Sequence, residues 1–269
     1  VRLGNDEIKM TQHQTENVKK MKKLIILGLI FTFFAGSTFG QDQYIFPYGS
    51  GPNKLFMKEI IKLTGKVRPK ICYLPTASGD SERSIIRWYE LVHDLSVEPH
   101  VQQVWISSYS QKASFEEFLL GMDAIVVGGG NTLNMMAIWK AQGIDIVLKK
   151  ALEKGIVLAG GSAGSLCWFE NGTTDSRPIE LSVVEGLGFL PYSHSPHYDS
   201  EEYRRPLYHM NIENGTFKPG YAMDNRSGII FKNGQLFKVV SLEAEHNCYF
   251  VSLKNGKVVE EKLESVILK

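Results

Sequence analysis

The chain has 269 residues, with 30 Lys+Arg against 29 Asp+Glu, 43% hydrophobic and 22% charged residues, which is the balance of a globular protein. That composition excludes disorder, collagen and coiled coil, and a chain of this length folds without needing a disulfide or metal staple. A net charge of +1 argues against nucleic acid as the main partner, because a phosphate-binding surface carries a clear basic excess.

In chain order the first feature is Met21-Lys22-Lys23 followed by the apolar run Leu24 to Phe34, which reads as a secretory signal. The small-residue end Ala35-Gly36-Ser37-Thr38-Phe39-Gly40 offers a cleavage site before Gln41. The run is well short of the ~20 residues that span a bilayer as a helix, so no lasting membrane anchor is expected, and no Cys follows it to suggest a lipoprotein. Residues 1 to 20 are polar and aperiodic and are read as non-structural. The expected division is therefore 1–40, upstream segment and signal, and 41–269, a single domain of an exported protein, periplasmic or secreted. Removing six basic and three acidic residues with the first forty leaves 24 basic against 26 acidic.

From Gln41 onward, apolar runs alternate with helical patterns, the signature of a parallel sheet flanked by helices. Strands are expected at Tyr44 to Tyr48, Ile71 to Leu74, Val101 to Ile106, Asp123 to Val127 and Gly155 to Ala159. Helices are expected at Lys54 to Leu63, Ser84 to Leu95, Phe115 to Leu120, from Asn131 to about Lys154, and at Ser165 to Phe169. Later strands are expected around Gly220 to Met223, Gly228 to Lys232, Leu236 to Val240, Cys248 to Leu253 and Lys257 to Lys262. Hairpin turns at Asn233-Gly234 and Asn255-Gly256 make these antiparallel strands that extend the sheet or cover its edge. The fold class is α/β, a three-layer αβα sandwich with a mostly parallel central sheet. Cys72, Cys167 and Cys248 lie in apolar stretches without C-x-x-C spacing, so buried free thiols are expected rather than a zinc site or disulfide framework. Asn171-Gly-Thr, Asn214-Gly-Thr and Asn225-Arg-Ser fit the glycosylation pattern.

Gly160-Gly161-Ser162-Ala163-Gly164 fits G-x-S-x-G directly after an expected strand and before an expected helix. In a nucleophile elbow the sharp turn exposes the serine oxygen, and the following amides face an oxyanion. Unaided, a serine hydroxyl is too weak an acid to attack an amide, so a histidine must take its proton and a third group must orient that histidine. The candidates after Gly40 are His93, His100, His194, His197, His209 and His246, of which His93 falls in an expected helix and His100 at the start of an expected strand. His194 and His197, in the expected loop Ser193 to Asp199, are the better placed pair.

The segments Val127-Gly128-Gly129-Gly130-Asn131-Thr132, Gly161 to Gly164, Thr173-Thr174-Asp175, Pro196-His197-Tyr198 and Ala222-Met223-Asp224-Asn225 together resemble the dipeptidase E and cyanophycinase group of serine peptidases. The fold of that group is similar to the class I glutamine amidotransferases. The resemblance covers roughly Tyr44 to Val240. It implies Ser162 as nucleophile, His197 as base, and Asp175 or Asp224 as the orienting carboxylate, with Asp175 slightly ahead. The oxyanion donors are expected from the amides of Ala163 and of Gly129 or Gly130. Asn131 caps the next helix or contacts substrate. Family members that remove an N-terminal aspartate need a cation for its carboxylate, a role open to Arg204 and Arg205, or to Arg177.

The expected function is thus an exported serine peptidase that hydrolyses short peptides, including acidic dipeptides, through an acyl-enzyme. The chemistry needs no metal or organic cofactor, and its partner is a short peptide substrate. The alternatives are cyanophycinase-like cleavage of an Asp-Arg polymer and a catalytically silent binding protein on the same scaffold.

Overall fold

The protein is described here from a computed structural model, covering residues 41–105 and 111–269; the expected signal segment lies outside the described residues. The first half runs β1 (Tyr44–Tyr48), α1 (Lys54–Thr64), β2 (Lys70–Leu74), α2 (Glu82–Val92), β3 (Glu98–Val101), α3 (Phe115–Leu119), β4 (Ala124–Val127), α4 (Thr132–Gln142), α5 (Ile144–Glu153), β5 (Val157–Gly161) and α6 (Ala163–Leu166). The second half adds β6 (Phe169–Thr174), β7 (Ser182–Glu185), β8 (Leu190–Ser195), α7 (Arg204–Glu213), β9 (Gly220–Met223), β10 (Ser227–Lys232), β11 (Gln235–Ser241), β12 (Cys248–Lys254), β13 (Lys257–Leu263) and β14 (Val266–Ile267).

An eight-stranded sheet has the order β14-β11-β10-β1-β5-β4-β2-β3. Its β1, β5, β4, β2 and β3 are mutually parallel, and β10 and β11 extend it antiparallel. Alternation of side chains along these strands divides the core into two layers. Ile71, Tyr73, Val126 and Ala159 pack with Phe56 and Ile60 of α1 and Trp88 and Val92 of α2. Their neighbours Cys72, Leu74, Ile125, Val127 and Leu158 pack with Met135 and Trp139 of α4 and Leu148 and Leu152 of α5. Helices on both faces make the three-layer α/β sandwich, and covering both faces is why these strands read as continuous apolar runs. The helix ends carry local signals: Asn53 and Asn131 accept N-terminal amide protons, and Gly65 and Gly143 close α1 and α4 in the left-handed conformation.

A second sheet, of six strands in the order β13-β12-β9-β8-β6-β7, departs from the one-sheet expectation. β10 and β11 do extend the central sheet, but β12 and β13 belong to the second. The sequences of β6 (FENGTT) and β8 (LPYSHS) are too polar to signal strands. Their polar groups are buried because they satisfy one another, Thr173 Oγ1 with Ser195 Oγ at 2.8 Å and Ser193 Oγ with the Tyr208 hydroxyl at 2.8 Å. His194 therefore sits within a strand rather than a loop. β3 lies at 98–101, since its pairing partner β2 takes Glu98 to Val101 in register with Lys70 to Tyr73; of the expected strand Val101 to Ile106, residues 102–105 lie beyond β3 and Ile106 lies outside the described residues. Both hairpin turns form as expected, with Asn233, Gly234, Asn255 and Gly256 all at positive φ. The three cysteines are free and buried. No helix among the described residues is long and apolar enough to cross a membrane.

Candidate active site

β5 delivers the chain into Ser162, whose backbone is held at φ 57°, ψ −120°, a conformation costly for a residue with a Cβ. The turn is fixed from both sides. The Ser162 N–H donates to Tyr48 O of β1 at 3.3 Å, and a Cβ on Gly161 would overlap Ser50 O and the Tyr48 ring. Chain direction then reverses into α6, and the serine hydroxyl projects from the C-terminal edge of the parallel strands, where ligands bind in open α/β sheets.

The second sheet supplies its partners. β8 and β9 are parallel neighbours, with Ser195 opposite Ala222, so the residues just past each strand emerge at one edge. His197, two residues beyond β8, lies with Nε2 2.8 Å from Ser162 Oγ. Its Nδ1 lies 2.6 Å from Asn225 Oδ1, two residues beyond β9. The hydrogen bonds define the tautomer: Nδ1–H donates to the Asn225 amide oxygen, and the Nε2 lone pair accepts the Ser162 hydroxyl proton. Asn225 is held in turn, its N–H donating to Asp199 Oδ1 at 3.0 Å and its carbonyl accepting from the Ser50 hydroxyl.

Neither expected carboxylate occupies the orienting position. Asp175 is exposed at the end of β6 and lines a surface hollow with Arg177 and Tyr203, and it makes no hydrogen bond to His197 among the described residues. Asp224 turns inward after β9, and its Oδ2 accepts the Asn247 N–H at 2.7 Å. Burial is the main cause that raises its carboxyl above the ordinary range. The adjacent Asn225 faces the histidine instead. A sequence reading that looks for a charged orienter passes over Asn225, although it closes the Ala222-Met223-Asp224-Asn225 motif.

His194, the alternative base, is fully buried. Its Nδ1–H donates to Tyr221 O at 2.8 Å, and Nε2 lies 2.9 Å from Ser165 Oγ. Burial lowers its pKa to about 3, with Arg204 and His197 adding to the effect, so it is a neutral structural group beneath the elbow. Ser165 Oγ also lies 2.7 Å from Ser162 O, tying this histidine to the turn.

Ala163 is the first residue of α6, so its N–H has no partner within the helix. Gly129 borders the hydroxyl: a Cβ there would meet Ser162 Cβ at 3.2 Å and Ser162 Oγ at 3.6 Å. The flanking amides are spent, Gly128 N–H on Leu74 O and Asn131 N–H on Ala77 O, whereas those of Gly129 and Gly130 donate to no backbone carbonyl among the described residues. Gly130 is turned against Ala77 at φ 139°, which leaves Gly129 nearer the serine. Asn131 is the cap of α4, its Oδ1 accepting from Asn134 N–H at 2.8 Å and its Nδ2 donating to Ser176 O.

The expected carboxylate-binding arginines are engaged elsewhere. Arg204 is 1% exposed; its Nε and Nη2 donate to Glu201, and its Nη1 donates to Thr173 O. Arg205 stacks over Tyr198 with its guanidinium carbon 4.4 Å from the ring centre and pairs with Glu260 at 3.2 Å. Arg177 donates to Ser182 Oγ and Val183 O. Sequence reasoning missed a fourth arginine. A cavity of about 320 Å³ borders Gly129 and is lined by Tyr73, Ser84, Arg87, Trp88 and Leu91. Arg87 is exposed and makes no ion pair or hydrogen bond among the described residues.

The model of peptidase family S51 matches residues 48–239. The chain belongs to peptidase family S51. It is 40% identical over 210 residues to the uncharacterized peptidase YgaJ of Bacillus subtilis strain 168, covering 78% of this chain and 90% of that protein. It is 32% identical over 103 residues to a peptidase E of Shewanella amazonensis, covering 38% of this chain and 43% of that one. Among solved structures, a peptidase from an acI-B1 Actinobacterium superposes with TM-score 0.66 at 18% identity, covering 84% of this chain and 96% of that one. A putative peptidase E from Listeria monocytogenes EGD-e gives TM-score 0.58 at 17% identity, covering 75% and 100%. These two show the shared fold. As a member of family S51 the protein is a serine-type peptidase, which sets aside the silent binding scaffold.

Proposed function

We propose that this S51 peptidase is exported and hydrolyses short peptides, dipeptides with an acidic first residue among them, through an acyl-enzyme on Ser162. The observation that carries the reading is the unbroken series Ser162 Oγ, His197, Asn225 Oδ1, with both hydrogen bonds at 2.8 Å or less. His197 Nε2 takes the hydroxyl proton as Ser162 Oγ bonds to the substrate carbonyl carbon, then returns it to the leaving amine. The amides of Ala163 and Gly129 receive the oxyanion. Water, activated by the same imidazole, hydrolyses the ester. Export rests on the apolar run after Met21, and the acidic preference on the resemblance to dipeptidase E together with Arg87 in the cavity beside Gly129.

Asn225 fixes the imidazole by a neutral hydrogen bond. Asn225→Ala is expected to lower kcat about 100-fold with KM little changed, since orientation matters only as the proton moves. Asp175→Asn should stay within about threefold of wild type. Steady-state kinetics on one dipeptide tests both, and the reverse ranking would return the orienting role to the carboxylate.

The substrate reading is tested by mass spectrometry of products from α-linked and β-linked aspartyl dipeptides and their neutral analogues. Arg87→Met is expected to raise KM for acid-first dipeptides about tenfold or more, the loss of one charge-assisted hydrogen bond, and to spare neutral ones. Equal effects on both would remove Arg87 from recognition. Turnover confined to β-linked Asp-Arg would point to the cyanophycinase-like activity.

A further inference from the structure

Three chain segments converge behind Asn225, and what they bring together is not used by the proton-transfer series. Asp199 follows β8, Asp224 follows β9, and His246 lies between β11 and β12. One ligand-competent atom from each lies within 4.8 Å of both others. We propose that Asp199, Asp224 and His246 form a divalent-cation site that braces the segment carrying Asn225.

A cluster of acidic groups would not suffice for this, but Asp224 adds an independent sign. Its side chain is 2% exposed, and Oδ2 is satisfied by Asn247 N–H. Oδ1 is buried with no hydrogen-bond partner among the described residues. A carboxyl oxygen left unsatisfied in the interior is costly and calls for a partner. Nearby charges do not supply one. Arg205 acts on Asp224 only at a distance and is committed to Glu260 and Tyr198, and Arg226 pairs with Glu243 at 2.7 Å.

The donor set is two carboxylates and one imidazole, which suits Mn²⁺ or Zn²⁺ better than Mg²⁺ or Ca²⁺, whose sites are built of oxygen alone. His246 Nδ1 now lies 2.7 Å from Asp199 Oδ2. Coordination through this nitrogen requires it to be unprotonated, so its proton leaves to solvent or moves to Nε2, which faces Glu243 Oε2 at 3.5 Å. Asp199 would then hold the cation with one oxygen while the other keeps its bond to Asn225 N–H. The cation takes no part in peptide cleavage; it stiffens the support of the group that orients His197.

The test uses the full chain after chelator treatment, titrated with Mn²⁺ and read by electron paramagnetic resonance of the free aqua ion, with Zn²⁺ as competitor. One saturable Mn²⁺ per chain, displaced by Zn²⁺, is expected, with affinity reduced at least tenfold in His246→Ala and in Asp199→Asn. Circular dichroism identifies which variants are folded, and His246, on the partly exposed side of the site, is the substitution expected to leave the fold intact. Ser162→Ala should bind as wild type does, which separates this inference from the peptidase reading. No saturable binding of either ion by the folded wild type, or binding that survives both substitutions, would overturn the site.

Discussion

Ser162→Ala is expected to lower kcat/KM on the best dipeptide by about 10⁴-fold or more, with far-UV circular dichroism unchanged. The size follows from what is removed. Without the hydroxyl there is no acyl-enzyme, and only binding and the oxyanion donors remain to assist attack by water. His197→Ala should fall to a similar floor, and the double variant should lose little beyond either single one, because nucleophile and base act as a unit. Labelling by a serine-directed phosphonate should disappear in Ser162→Ala. His194→Ala provides the contrast: the fraction that folds should retain more turnover than His197→Ala. A folded Ser162→Ala enzyme with near wild-type turnover would sink the acyl-enzyme mechanism.

Acid destabilisation is the second large effect, and it comes from His194. Burial lowers its folded pKa from 6.5 to about 3, so the unfolded chain binds a proton that the folded chain refuses. The contribution of the neutral ring is fully present above pH 6.5 and is lost progressively as pH falls from 6.5 toward 3, at about 1.4 kcal/mol per pH unit. Across the whole window this is roughly 5 kcal/mol, a large share of the ~5–15 kcal/mol typical of a folded protein. Denaturant unfolding at pH 6.5 and pH 5 should differ by about 2 kcal/mol from this group alone. His194→Gln removes the titration, so its stability should change less over the same interval. A pH dependence in the variant equal to that of wild type would take His194 out of the account.

How much of this was legible follows from which groups are buried and against what. The strands β2, β4 and β5 are covered on both faces, and burial of every position but Lys70 at the start of β2 wrote them into the sequence as apolar runs. The glycines around Ser162 marked a turn that no other residue fits. The second sheet was hidden because β6 and β8 bury Thr173, Ser193 and Ser195; Thr173 and Ser195 pair across the two strands, and Ser193 bonds the Tyr208 hydroxyl of α7, partners that are distant in the sequence until the chain folds. The orienting residue was hidden for an electrostatic reason. A search for a negative charge passed over Asn225, since an amide oxygen suffices to fix the imidazole. Arg204 misled in the opposite sense, an arginine beside acidic neighbours that folding places in the interior against Glu201 and Thr173 O.

Ser162 belongs to one sheet, whereas His197 and Asn225 are delivered by the other. Neither sheet alone contains a working set of groups, and the bonds that join them span only a few ångströms. Turnover therefore reports on the seam itself: any parting of the two halves extinguishes catalysis, however much helix and strand each half retains. The chemistry is as cooperative as the tertiary fold.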